Sequence, residues 1–399
     1  MTKIGILKEK SAGEKRVAAV PETIKKMIAA GMEVFVETGA GESSGFGNED
    51  YEKAGAKLLS NTETLLKGIQ TALKVRKPTL EEIDKLPEGC ILVASSLGPG
   101  SDSELSRRYC AKKITGFSLD LLPRIARAQS MDVLSSMANI AGYKSVIVAA
   151  DRLPKFFPML MTAAGTVTPA RALILGAGVA GLQAIATARR LGAVVRVFDV
   201  RPVVKEQVES LGAQFVDIPI QHETTQDSRG YAKEISEETA RKEREIIARE
   251  LKTADVCITT AQIPGKKAPT LITEEMVKEM KKGSVIVDLA AEQGGNCVLT
   301  EAAKEVVKYG VTIIGFTDLV SQMAYQSSQI YARNILNFFL HINKNSSKEL
   351  DREDEIIRST LICYQGEMLP SSNPFSTAQT RTDDGKGKNQ EVRVRQGSF

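Results

Sequence analysis

The chain has 399 residues, 42% of them hydrophobic and 26% charged, which excludes a wholly disordered, collagen-like or fibrous protein and predicts about two or three packed domains. Its formal net charge is +4, and residues 371–399 hold five Lys/Arg against three Asp/Glu, so the body is nearly neutral. With no basic stripe in that body, nucleic acid is excluded as a partner.

Up to about residue 135, short apolar runs alternate with helical stretches. KIGIL at 3–7 reads as a strand, a helix begins at Pro21, and EVFVE at 33–37 reads as the next strand. Further strands are expected at 91–97 and 113–119, with helices between them. Strands separated by helices imply a parallel sheet covered on both faces.

A second series starts after Pro169. Strand Ala172–Leu175, a glycine turn, a helix from Val179, a strand at 194–200, a helix at 205–212 and a strand at 213–218 form a βαβαβ unit. The polar stretch 221–234 is long for a connection between packed elements and predicts a mobile loop. Strands at 256–260, 284–290 and 311–316 follow, with TEEMVKEMKKG and EAAKEVVKYG as the helices between them. A helix from Leu319 to about Ile342 comes after this sheet is complete, so the C-terminal helices are expected to return to the first domain. The expected fold is α/β, with two Rossmann-like domains built on parallel sheets and the first completed by C-terminal helices. Residues 1–135 plus 320–370 make the first domain and 136–319 the second, and 371–399, poor in apolar residues, form a flexible tail.

Five cysteines (Cys90, Cys110, Cys257, Cys297 and Cys363) without a CxxC pair fit reduced thiols in an intracellular protein. The two histidines, His222 and His341, stand far apart with no ligand spacing, so no metal site is expected, and both read as surface or helix-face residues. The opening MTKIGILKEK puts charges where a signal peptide needs an apolar core, and no run approaches the about 18 apolar residues of a membrane-spanning helix.

The strongest chemical signal is GAGVAG after the strand Ala172–Leu175. In the context of strand, turn and helix, Gly176 permits the tight turn, Gly178 lets the backbone approach a pyrophosphate, and Gly181 allows close helix-to-strand packing. The helix N-terminus beyond it offers free N–H groups to phosphates. Asp199 ends the second strand, 23 residues after Gly176, where a carboxylate accepts hydrogen bonds from ribose hydroxyls and repels a 2′-phosphate, favouring NAD(H). Arg201 reads as a solvated surface charge, with service to a 2′-phosphate as its alternative. Arg124, Gln129, Asp132 and Ser135 fall within 12 residues where the first domain hands over to the second, the place where a cleft presents a cofactor's reactive ring. An amide such as Gln129 suits a carboxamide or ribose, and an Arg and Asp pair holds a loop in shape. By composition alone this stretch is a polar helix start.

RAQSMDVLSSMANIAGY followed by LILGAGVAGLQAIATARRLGAVVRVFDVR resembles the NAD(H)-binding component of the proton-translocating nicotinamide nucleotide transhydrogenases, at the N-terminal domain of their alpha subunit. The opening RVAAVPET, the GYAKE loop and TTAQIPGKKAP fall in the same order, and the resemblance covers about residues 1–370. It implies hydride exchange between NAD(H) here and NADP(H) on a partner component, coupled to proton movement through a membrane-embedded component. It implies a homodimer on the cytoplasmic or equivalent matrix side, peripheral to the membrane through its partners. It places Arg124, Gln129, Asp132 and Ser135 around the nicotinamide, Gly230 and Tyr231 on a closing loop, Asp199, Val200 and Arg201 at the adenosine, and Val179 near the pyrophosphate. Glu243 and Gln262 match nucleotide contacts at which the family often has other side chains. Hydride exchange between two nicotinamide rings needs positioning more than a general base, which agrees with two histidines.

Two other readings compete. Alanine dehydrogenases share the two-domain plan and the opening RVAAVPE, and Arg16 and Lys74 stand where those enzymes bind the amino acid. Oxidative deamination needs a proton acceptor, a histidine in those enzymes, whereas this chain has Ser95 and Ser96 in ILVASSLGP. The third reading is a non-catalytic NAD(H)-sensing module.

Overall fold

The computed structural model describes residues 2–98, 103–217, 237–263, 266–344 and 350–369. The stretch 221–234 and the tail 371–399 lie outside the described residues.

The first apolar runs become six parallel strands: β1 Lys3–Ile6, β2 Glu33–Glu37, β3 Lys57–Leu59, β4 Thr71–Leu73, β5 Ile91–Ala94 and β6 Thr115–Ser118. Helices α1 Pro21–Ala29, α2 Asn48–Lys53, α3 Thr62–Gly68, α4 Leu80–Lys85 and α5 Ser103–Ala111 connect them. Local chemistry sets the helix starts. Pro21 opens α1, where its missing N–H costs nothing. Thr79 and Glu82 cap α4 reciprocally, Glu82 N donating to Thr79 Oγ1 at 3.2 Å and Thr79 N donating to Glu82 Oε2 at 3.0 Å. Helix α6, Val133–Arg152, then leads away from this sheet, and the hairpin β7 Leu160–Thr162 with β8 Gly165–Val167 stands apart from both main sheets.

The second sheet contains β9 Arg171–Leu175, β10 Val194–Phe198, β11 Gln214–Phe215, β12 Val256–Thr259, β13 Val285–Asp288, β14 Glu305–Lys308 and β15 Val311–Ile314, in the order β11-β10-β9-β12-β13-β15-β14. Helices α7 Val179–Arg190, α8 Lys205–Ser210, α9 Glu237–Leu251 and α10 Glu274–Glu279 belong to this series. The chain then runs through α11 Ala324–Ile342 and α12 Glu355–Thr360 into β16 Leu361–Tyr364 and β17 Glu367–Met368, which close the first sheet in the order β17-β16-β6-β5-β4-β1-β2-β3. Helix α11 is part of the first core: Tyr331, Ile335, Phe338 and Phe339 are buried there, and Phe338 meets Phe117 edge to face at 5.4 Å. Each such side chain contributes about 1.5–3 kcal/mol by leaving water.

Four expectations need correction. The sheets are mixed, not wholly parallel, because β14, β16 and β17 run antiparallel to their neighbours. EAAKEVVKYG is not a helix. Its second half is β14, joined to β15 by the two-residue turn Tyr309-Gly310, in which both residues have positive φ (+55° and +81°), the geometry that matches the strand twist of a tight hairpin. The strand expected at 213–218 shrinks to two residues. Finally, α6 is by length and composition apolar enough to cross a membrane. Here it is a core helix: Ile140, Val146 and Ala149 are buried, and a Cβ on Gly142 would lie 2.1 Å from Ala180 O, so α6 and α7 touch backbone to backbone.

Candidate functional site

In the second sheet the strands step outward from β9 to β10 and β11 on one side and to β12 and β13 on the other, so a crevice opens at the carboxyl ends of β9 and β12. The glycine turn lies there. Gly176 has φ +99°, a conformation that L side chains rarely adopt, and its N donates to Phe198 O at 2.8 Å. A Cβ on Gly181 would lie 1.9 Å from Gly176 O, so no side chain fits between helix and turn. Gly178 differs: a Cβ there meets no atom within 4 Å. It is the N-cap of α7, with no side-chain cap and no acidic residue in the first turn, and Val179 next to it is exposed. An open helix N-terminus left uncapped by its own chain suits a pyrophosphate, so this part of the site fits a dinucleotide.

At the end of β10, Asp199 is buried and accepts four hydrogen bonds: from Ala177 N at 2.7 Å, Arg201 N at 2.8 Å, Arg201 Nε at 2.9 Å and Arg201 Nη2 at 2.8 Å. These donors match the four lone-pair positions of a carboxylate. Asp199 thus braces the glycine turn with one bond and grips Arg201 with the rest, and Arg201 is an ion-paired residue, not a solvated charge. Val200 beside them is half-buried. Glu243 of α9 is buried close enough to feel Asp199: burial, with the Asp199 charge adding and Arg244 opposing, pushes its carboxyl up to about 7.

Across the crevice, the segment after β12 is tied down. Thr260 Oγ1 donates to Gly176 O at 3.1 Å, Gln262 Nε2 donates to Leu289 O at 2.8 Å, and Asn296 clasps Ala261 by donating to its O at 2.9 Å and accepting from its N at 3.1 Å. Behind it, fully buried Asp288 accepts from Thr259 Oγ1, Ala290 N, Asn296 N, Cys297 N and Thr300 Oγ1 at 2.7–3.0 Å. Sequence reading missed Asn296 and Asp288. The available signal was SVIVD, an apolar strand ending in Asp like the one that ends at Asp199.

The second constellation sits at the start of α6. A 3-10 turn spans Ala126–Met131, with Ala128 and Met131 buried and Gln129 and Arg124 exposed. Asp132 is the N-cap of α6, accepting from Ser135 N at 2.9 Å and Ser135 Oγ at 2.5 Å, so its described partners are on the helix rather than an arginine. The structure therefore gathers Gly176, Gly178, Val179, Gly181, Asp199, Val200, Arg201, Glu243 and Gln262 on the second sheet, and Arg124, Gln129, Asp132 and Ser135 at the N-terminal end of the helix packed on α7. Gly230 and Tyr231 lie outside the described residues. Of the histidines, His222 lies outside them too, and His341 bonds Asp354 Oδ1 at 3.2 Å. Among the described residues no cluster of three or more His, Cys, Asp or Glu suits a metal ion.

Arg16 and Lys74 occupy the other sheet, and both are buried against carboxylates of their own chain. Glu14 takes Arg16 in a two-point grip, Oε1 to Nε at 2.7 Å and Oε2 to Nη2 at 2.6 Å. Burial raises the Glu14 pKa, but the hydrogen bonds and charge of Arg16, helped by Ser321, outweigh it and hold the acid at about 2. Lys74 Nζ lies 3.2 Å from Glu82 Oε2 and 3.7 Å from Glu9 Oε2. Ser95 Oγ meets Tyr331 OH at 3.0 Å.

Comparison with known proteins adds to this geometry. Residues 5–141 match the N-terminal domain of alanine dehydrogenase/PNT and residues 145–371 its C-terminal domain. The chain is 46% identical over 385 residues to the first of the polypeptides that make up NAD(P) transhydrogenase subunit alpha of Rhodospirillum rubrum, covering 94% of this chain and 99% of that protein. It is 45% identical to NAD(P) transhydrogenase subunit alpha of Haemophilus influenzae, covering 95% of this chain and 74% of that one. The crystal structure of transhydrogenase from Sinorhizobium meliloti superimposes with a TM-score of 0.83 at 42% identity, covering 92% of this chain and all of that one.

Proposed function

The chain belongs to the alanine dehydrogenase/PNT family, as an alpha-subunit component of an NAD(P) transhydrogenase, and from that premise we propose that it holds NAD(H) in the crevice of the second sheet and exchanges hydride with NADP(H) on a partner component. The observation that carries the reading is the open space over Gly178 at the uncapped start of α7, a cradle that a single Cβ would fill. The bound nicotinamide supplies the hydride chemistry, and the chain's own residues place it. The first turn of α7, with Val179 beside it, receives the pyrophosphate. Asp199 takes the adenosine ribose hydroxyls by releasing bonds now given to Arg201, which then turns to the adenosine side with Val200. Glu243 and Gln262 complete the nucleotide contacts.

Gln129 and Arg124 position the nicotinamide end, while Asp132 and Ser135 fix the backbone from which they project. No residue is asked to move a proton at the reacting carbon, so the buried Ser95–Tyr331 pair needs no catalytic role. Proton translocation belongs to a membrane-embedded partner on whose cytoplasmic or matrix side a dimer of this chain docks.

The test is direct. The purified chain alone should bind NADH without oxidising it, and hydride transfer to an NADP analogue should begin when the NADP(H)-binding component is added. NADH-dependent amination of pyruvate by the chain alone would overturn the reading in favour of an alanine dehydrogenase. Gln129→Asn should slow transfer with little change in NADH affinity; equal losses of both would remove Gln129 from the nicotinamide end.

A further inference from the structure

Helix α11 presents its apolar face to the first core, yet Asn334 interrupts that face. It is only 6% exposed among Tyr331, Ile335, Phe338 and Phe339, and its Oδ1 has no hydrogen-bond partner among the described residues. Burying an amide with an acceptor left unmade costs about 1–3 kcal/mol, so packing by itself favours leucine here. Its Nδ2, however, donates to Ser130 O at 2.9 Å, and Asn337, one turn further on the same face, donates to the same oxygen at 3.1 Å. Ser130 adjoins Gln129 in the 3-10 turn that ends at the α6 cap. A third tie, Arg127 Nη1 to Asp354 Oδ2 at 3.1 Å, involves an arginine side chain 61% exposed and is therefore weak.

We propose that Asn334 and Asn337 are positioning residues for hydride transfer: their two amides clamp the Ser130 carbonyl and so fix where Gln129 meets the nicotinamide. This rests on the functional reading above. Neither residue touches the second sheet, so the clamp acts on transfer and leaves the phosphate cradle alone. A single hydrogen bond is worth about 1 kcal/mol, and loss of one donor slows a step that depends on the loop's placement by roughly fivefold.

The experiment uses the full chain with the NADP(H)-binding component and measures single-turnover hydride transfer, NADH dissociation constant and amide exchange of residues 124–132. Asn334→Leu keeps the volume and removes the donor, and Asn337→Ala makes the same deletion at a half-exposed position where folding is not at stake. Both should slow transfer about fivefold, keep NADH binding within about twofold and speed exchange in the loop, while Asn337→Gln, which retains a donor, should restore most of the rate. Transfer within twofold of the parent in both variants would sink the clamp, as would parallel losses of binding and rate. Absence of transfer by the parent chain with its partner present sinks the functional reading instead.

Discussion

The two sheets have the same topological switch and opposite contents. In the first, the crevice lies between β1 and β4, and residues just past those strands fill it: Glu9 accepts from Val75 N at 2.6 Å, and Lys74 stands between Glu9 and Glu82. In the second, the equivalent place between β9 and β12 is lined by Gly176, Gly178 and Gly181, with open space over Gly178. A parallel sheet offers a ligand site wherever strand order reverses. Which of two such places takes the ligand is decided by what the chain puts at the strand ends. Charged side chains that satisfy one another close the first, and the absence of side chains opens the second.

The largest expected break in this contrast is Gly181→Ala, because its Cβ would have to displace the Gly176 carbonyl, 1.9 Å away. NADH affinity should fall by at least about 100-fold, with a large loss of stability, as read by fluorescence titration and urea unfolding. Next comes the closed crevice. Lys74→Met leaves Glu9 and Glu82 buried without their shared cation and should cost about 3–5 kcal/mol of unfolding free energy, while NADH affinity in the surviving folded protein stays within twofold. A matching drop in NADH affinity would mean that the first crevice is part of the nucleotide site.

Glu243 sharpens the contrast through pH. Its carboxyl is raised to about 7, so the folded state holds a proton that the unfolded state loses above about pH 4.5, and stability from this group declines as pH rises from there through 7. Glu243→Gln should therefore gain on the parent by up to about 3 kcal/mol at pH 8 and by almost nothing at pH 4, in urea unfolding at both values. An equal gain at the two pH values would count against a carboxyl held neutral. The smallest effect is Gly178→Ala. With φ −76° and free space for the Cβ, folding should be unchanged or improved by a few tenths of a kcal/mol, while NADH binding weakens about tenfold. Unaltered affinity would leave the open space without a ligand.

Most of the open crevice was legible in sequence, and little of the closed one was. A glycine turn between a buried strand and a helix, with Asp at the next strand end, depends only on neighbours in the chain, so Gly176, Gly178, Gly181 and Asp199 could be picked out. The partner of Asp199 could not: Arg201 two residues on reads equally as a surface charge, and only the turn after β10 brings its fork back. Likewise EVVK carries no pattern that separates helix from strand, and the Tyr309-Gly310 turn decides it. Asn334, Asn296 and Asp288 escaped because each acts on residues that are distant in sequence, by 204 positions in the case of Asn334 and Ser130.

Helix α6 adds a constraint of length. It begins at the Asp132 cap beside Gln129, and ten residues later Gly142 lies against the Ala180 backbone in the first turn of α7. At 1.5 Å per residue that stretch is a ruler of about 15 Å, with the Gln129 turn at its zero and the phosphate-facing helix at its other mark. Because no side chain at position 142 cushions the contact, the ruler has no slack. Inserting or deleting one residue between Asp132 and Gly142 would rotate the turn by about 100° and change its reach by about 1.5 Å, so this interval tolerates substitution far more readily than a change in length.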